Sequence, residues 1–188
     1  MKEPKELSRT KQKTRTNFID ALFLILTDKP LDKITVRDIV TAAGYNRSSF
    51  YLYFTDVYDL ADAAEDDLLD KLSAAASAQF GQEEDLPTED FMQRLAIHAS
   101  AYADRISLLS DSRSFRDKFL GLLRPTFARA SGLDPEMAHY DYIISLFFSL
   151  MLHNITYWSQ HAEEISLPEL AEISRDLFLP GLLHLRTQ

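Results

Sequence analysis

Read for its alternation of apolar and polar positions, the chain predicts helices and no strand of useful length. Phe18, Leu22, Ile25 and Leu26 fall at i, i+4, i+7 and i+8 within residues 12–28, the single stripe of an amphipathic helix. Pro30 ends it, because the residue before a proline is driven away from helical geometry. Leu31 and Ile34 then make a short apolar link to Thr35. The Thr35 hydroxyl suits an N-cap, and Asp38 three residues on suits the positive end of a helix. This second helix sets Val36, Ile39, Val40 and Ala43 on one side and closes at Gly44, which enters left-handed backbone at little cost. Tyr45 and Asn46 complete a turn. A third helix follows from Arg47 to about Tyr53, with Phe50 and Phe54 four apart and turned inward.

Beyond Leu60 the pattern stays helical. Ala61 to Phe80 runs without a breaker, and residues 81–87, from Gly81 to Pro87, read as a loop. Thr88 opens a helix to about Leu109, and Ser112 or Ser114 opens another that reaches Arg124, with a kink expected at Pro125 and an end at Gly132 to Pro135. The longest segment spans about 135–161 and is apolar nearly all round from Ile143 to Leu152, so it must be buried on more than one side. A last segment begins after Ser166 and Pro168, carries Leu170, Ile173, Leu177 and Phe178, and continues with Leu182, Leu183 and Leu185. The expected fold is all-α: a three-helix helix-turn-helix head over residues 1–60 and a helical body over 61–188.

Composition narrows the function. The 188 residues are 46% hydrophobic and 26% charged, with no uncharged apolar run of the ~18 residues that a membrane-spanning helix needs. The N-terminus lacks the apolar stretch and small-residue cleavage site of a secretory signal, so a cytoplasmic location is expected. There is no Cys, which excludes disulfides, thiolate-bound zinc and cysteine redox sensing. His98, His139, His153, His161 and His184 are scattered without metal-ligand spacing, so no metal is expected and nothing calls for a cofactor. An all-α enzyme would need converging acid/base or nucleophilic groups, and the chain has no G-x-S-x-G, phosphate loop or paired His and Glu at metal spacing.

A net charge of −9 argues against nucleic acid until its distribution is read. Residues 1–55 hold ten Lys and Arg against six Asp and Glu, a balance of +4 that leaves −13 for the rest. A weakly basic head on an acidic body fits a polyanion partner for the head alone, although a plain solvated charge pattern would give the same count. The outward side of the third helix adds a sharper signal. With Phe50 and Phe54 inside, Asn46, Arg47, Ser48, Ser49, Tyr51, Leu52 and Tyr53 supply its surface, and most of them can hydrogen-bond. A recognition helix enters the major groove leading with its N-terminal residues, so Arg47, Ser48 and Ser49 are the expected base readers, and Tyr51 reaches a thymine methyl or a phosphate. Thr35, Arg37, Tyr45, Tyr53 and Thr55 are expected on the DNA backbone, with Asn46 beside the base readers and Lys11, Lys13 and Arg15 as a basic arm.

From about Thr14 to Leu60 the chain resembles the N-terminal domain of the TetR family of bacterial regulators. Ile34, Thr35, Val36, Arg37, Asp38 and Ile39, then Ala43 and Gly44, then Ser49, Phe50, Tyr51, Tyr53 and Phe54, and finally Asp59 and Leu60 match that family's pattern in order and spacing. Two positions depart from it: Val40 stands where a small residue is usual, and Val57 where a Lys or Arg commonly touches phosphate at the start of the fourth helix. The resemblance implies a homodimer joined through residues around 140–160 and 167–186, in which a two-fold axis presents two recognition helices about 34–36 Å apart, or a multiple, to a palindromic operator on double-stranded DNA. The alternative is that this apolar surface is internal core.

The resemblance also implies a small-molecule effector held in the body, for which Phe91, Tyr102, Phe119, Phe127, Tyr140, Phe147, His153, Tyr157 and Trp158 are the candidate lining. Plain core packing is the competing reading of these aromatic residues. The function implied is a repressor released from its operator by that effector. The alternative is a co-regulator or activator whose acidic body binds a protein.

Overall fold

The computed structural model describes residues 9–80 and 100–185. Among them the chain is helical, with no strand, and it divides into two compact units, Met1–Asp67 and Leu68–Gln188. The expected loop at 81–87 and the start of the helix expected from Thr88 lie outside the described residues.

In the first unit α1 spans Arg9–Leu26. It begins ahead of the expected residue 12, so Lys11 joins Lys13 and Arg15 on the helix. A single 3-10 turn, Leu31–Lys33, follows Pro30. Helix α2, Val36–Ala43, starts on a reciprocal cap: the Thr35 hydroxyl accepts from the Asp38 N–H, and the Asp38 carboxylate accepts from the Thr35 N–H. It stops at Gly44, which takes φ +73°, the left-handed conformation the sequence demanded. Helix α3 is short, Arg47–Tyr51, with Asn46 as its N-cap. Helix α4 spans Val57–Phe80.

The core of the head is aromatic. Phe18 of α1 is fully buried and meets Phe50 edge-on at 5.5 Å and Phe54 edge-on at 6.1 Å, with the Tyr45 ring 5.0 Å away. Ile19, Leu22, Ile39, Val40 and Leu60 close the same core. Ile25 and Leu26, expected on the inner stripe, are half-buried, because the stripe turns with the helix toward Ile19 and Phe23.

The second unit contains α5 (Ala103–Leu109), α6 (Arg113–Ser131), α7 (Tyr140–His161) and α8 (Leu167–Leu185). The helix expected to reach Leu109 without a break is interrupted before Ala103, where Tyr102 leaves helical geometry at φ −124°, ψ 10°. Ser112 caps α6, which passes through Pro125 and closes at Gly132 in the left-handed conformation. The start of α7 comes five residues after Pro135: the Asp134 carboxylate accepts from the Glu136 N–H, forming a turn, and His139 takes a left-handed φ of 67°. Ser166 and Glu169 form the same reciprocal cap for α8 as Thr35 and Asp38 do for α2.

Phe115, Phe119, Leu123 and Phe127, each four apart, are the buried stripe of α6. Phe127 lies 4.4 Å from Phe147 of α7, which in turn lies 5.5 Å from Phe178 of α8. Arg124 joins Asp141 at 2.7 Å, and the Asn154 amide donates to the Ser174 hydroxyl. The outer side of α7 and α8 is different: Tyr142, Leu146 and Tyr157 on α7, with Ile173 and Leu177 on α8, are exposed.

Candidate nucleic-acid interface

Two caps position the surface that the head offers. Thr35 and Asp38 hold the N-terminus of α2, and Lys29, three residues past the end of α1, fixes Asp38 from the other side at 2.6 Å. The Lys29 ammonium and the Thr35 amide and hydroxyl hold the Asp38 carboxyl at about 2, below the usual carboxylate range. Arg37, on the first turn of α2, is exposed. At α3 the Asn46 carbonyl oxygen accepts from the Ser49 N–H at 2.8 Å, so this side chain starts the helix.

Arg47 and Ser48 are exposed, Ser49 is half-buried, and Tyr51 is exposed with its ring edge-on to buried Phe50 at 5.5 Å. The residues expected on the DNA backbone divide. Thr35, Arg37 and Thr55 are exposed, whereas Tyr45 and Tyr53 are half-buried. The Tyr45 hydroxyl accepts from the Asn17 amide at 3.0 Å, and the side chains of Thr14 and Asn17 together hold its phenol below its ordinary range. Tyr53 leans on Phe18 with ring centres 6.1 Å apart.

Sequence reasoning did not assign the side chains at the start of α4. Val57, at the departure noted above, is buried in the head core. The Asp56 carboxylate accepts from the N–H groups of Tyr58 and Asp59, and Asp59 accepts from the Thr55 N–H at 2.7 Å. The end of the helix that would otherwise favour a phosphate is thus occupied by the chain's own carboxylates. The acid spacing Asp56 to Asp59, a cap signature, was the available signal. Tyr58 and Leu52 stand exposed beside it.

The candidate effector lining does not share one environment. Phe119, Phe127, Tyr140 and Phe147 are buried among the body's helices, Tyr102 and Trp158 are half-buried, and His153 and Tyr157 are exposed on α7. Phe91 lies outside the described residues. Tyr140 is distinctive: its hydroxyl is buried without a hydrogen-bond partner among the described residues, and burial pushes its phenol upward. Tyr157 stacks on His161 with ring centres 4.1 Å apart.

A capped pair of short helices, joined by a left-handed glycine and presenting Arg and Ser outward, defines a helix-turn-helix DNA-binding protein. Residues 18–64 match the family model for bacterial regulatory proteins of the tetR family. Compared by sequence, the chain matches no curated protein. Among solved structures it is similar to a TetR transcriptional regulator from Streptococcus agalactiae at 22% identity, over 89% of this chain and 94% of that one, with a TM-score of 0.62. A tetR-family regulator from Streptomyces coelicolor is similar at 16% identity, over 93% and 82%, with a TM-score of 0.69. The regulator FadR from Bacillus subtilis, in complex with stearoyl-CoA, is similar at 12% identity, over 88% and 98%, with a TM-score of 0.66. At these identities the likeness is one of fold. The head is a TetR family DNA-binding domain, and the chain as a whole has the fold of TetR family regulators. Among the described residues, no helix is long and apolar enough to cross a membrane.

Proposed function

We infer that this protein is a homodimeric repressor, with residues 1–60 reading a palindromic operator and residues 61–188 carrying the dimer contact and an effector site. The observation that carries the reading is the outward face of α3, where Arg47 and Ser48 stand exposed directly behind a helix start fixed by Asn46. Arg47, Ser48, Ser49 and Tyr51 contact bases, and Thr35, Arg37, Tyr45, Tyr53 and Thr55 contact the backbone. Asn46 serves by setting the angle of entry.

Dimerisation is supported by exposed Tyr142, Leu146 and Tyr157 on α7 and Ile173 and Leu177 on α8, large apolar side chains that a second copy would cover. For the effector, the hydroxyl of Tyr140, buried and unpaired among the described residues, favours a small ligand with a hydrogen-bond acceptor over a protein partner, which would dock outside. The stearoyl-CoA complex of the structurally similar FadR supports a small ligand in a body of this fold.

Binding to duplex DNA from the gene's own promoter region, measured at low and high salt, tests the reading. A specific complex that weakens steeply as salt rises is expected. Absence of any specific complex at low salt would remove the regulator assignment.

A further inference from the structure

The α3 surface contains one side chain that hydrogen bonding cannot explain. Buried Phe50 fixes the inward direction of this helix. At 100° per residue, Ser48 and Leu52 then lie on the opposite, outermost side, one turn apart, flanked by Tyr51 on one side and Ser49 on the other. Leu52 is the C-cap of α3 and keeps right-handed helical backbone, φ −75° and ψ −17°, so it continues the Ser48 line by one turn. It is 81% exposed, more than any other large hydrophobic residue of the described chain, while the residues leading the same helix, Asn46, Arg47 and Ser48, are polar.

We propose that Leu52 reads a thymine through its 5-methyl group. The proposal rests on the operator-reading role given to α3 above. In the major groove the largest apolar feature on a base edge is the methyl group of thymine, and an exposed leucine there gains by covering it. One helical turn advances about 5.4 Å, between one and two base steps of about 3.4 Å, so this thymine lies one to two base pairs from the base met by Ser48. Tyr51, whose ring is edge-on to Phe50, lies on the neighbouring side of the helix and contacts a different position.

The test uses the full-length protein and the tightest duplex recovered from a random DNA pool by selection on that protein. Each thymine of that duplex is replaced in turn, together with its symmetry mate in the other half-site, by deoxyuridine, which removes the methyl groups and nothing else, and each duplex is titrated with the natural chain and with Leu52→Ala. The expected result is one thymine per half-site whose methyl group contributes about fourfold in affinity, on the order of fifteenfold for two half-sites. Leu52→Ala should lose the same factor on the thymine duplex and nothing further on the matching deoxyuridine duplex. Exposure at this position means the variant keeps its fold, which its melting temperature verifies. If no deoxyuridine duplex binds more weakly, or if Leu52→Ala weakens both duplexes equally, the thymine assignment is overturned while the operator reading stands. If the selection returns no duplex at all, both are overturned.

Discussion

Lys29 and Asp38 meet at 2.6 Å, and this ion pair ties the segment just past α1 to the first turn of α2. Asp38 is at the same time half of the cap that starts α2, so one carboxylate serves an ion pair and two hydrogen bonds to Thr35. Its depressed value, about 2, sets the sign of the pH effect: the contribution is complete above the ordinary carboxylate range and is lost as pH falls toward 2. Urea midpoints between pH 6 and pH 2.5 should fall more for the natural chain than for Asp38→Asn. Parallel curves would show that the pair contributes nothing.

Gly44 occupies left-handed backbone, but an added Cβ would meet no atom within 4 Å. The cost of Gly44→Ala is therefore conformational alone, about 1–2 kcal/mol. Gly44→Asn should cost less, since asparagine tolerates that region. Equilibrium unfolding of the two variants checks the order, and a reversed order would contradict the backbone account.

Phe18 touches four aromatic rings and has no exposed surface. Phe18→Ala should destabilise the head by about 3–5 kcal/mol, enough to abolish DNA binding at 37 °C. Retention of full operator affinity at that temperature would mean that the head core is built differently.

In the proposed reading Arg37 anchors on the DNA backbone and Arg47 reads bases. Arg47→Ala should reduce the preference for operator over unrelated DNA by about 1–3 kcal/mol, whereas Arg37→Ala should weaken binding to all sequences alike and lower the salt dependence by about one ion. Competition titrations distinguish them. An equal loss of specificity from both changes would refute the division.

The exposed pair Leu146 and Leu177 tests the assembly. In the proposed dimer a second copy covers both, so Leu146→Glu with Leu177→Glu should give a monomer in sedimentation velocity at micromolar concentration. Operator affinity should fall by more than 100-fold, since one head then binds alone. An unchanged dimer would move the contact elsewhere on the body.

The head was legible in the sequence because its signals are local. Thr35 with Asp38, Gly44, and Phe50 with Phe54 each declare their structure within four residues. What escaped was tertiary or lay one step outside those motifs. Asn17 lies 28 residues from Tyr45 in sequence, so the hydrogen bond that fixes the Tyr45 hydroxyl could not be read locally. The buried position of Val57 and the capping role of Asp56 depend on how α4 leaves α3, which no periodic pattern encodes. In the body, Ser112 is the one of the two expected starts that caps α6, Gly132 ends it, and α8 begins at Leu167, ahead of Pro168, whereas the late start of α7 depended on the turn at Asp134 and the left-handed His139. The candidate effector residues scattered because aromatic spacing on a helix reports burial and cannot tell a core from a cavity.

Trp158 is the single tryptophan of the chain and sits half-buried on α7, within the second unit. The first unit carries tyrosines but no tryptophan, with Tyr45 and Tyr53 leaning on Phe18. Indole emission, excited at wavelengths tyrosine does not absorb, therefore follows the fate of residues 68–188 without interference from the head. Melting of the DNA-binding unit is silent in that channel, so an unfolding curve by fluorescence and one by helical circular dichroism should separate wherever the two units lose their structure at different temperatures.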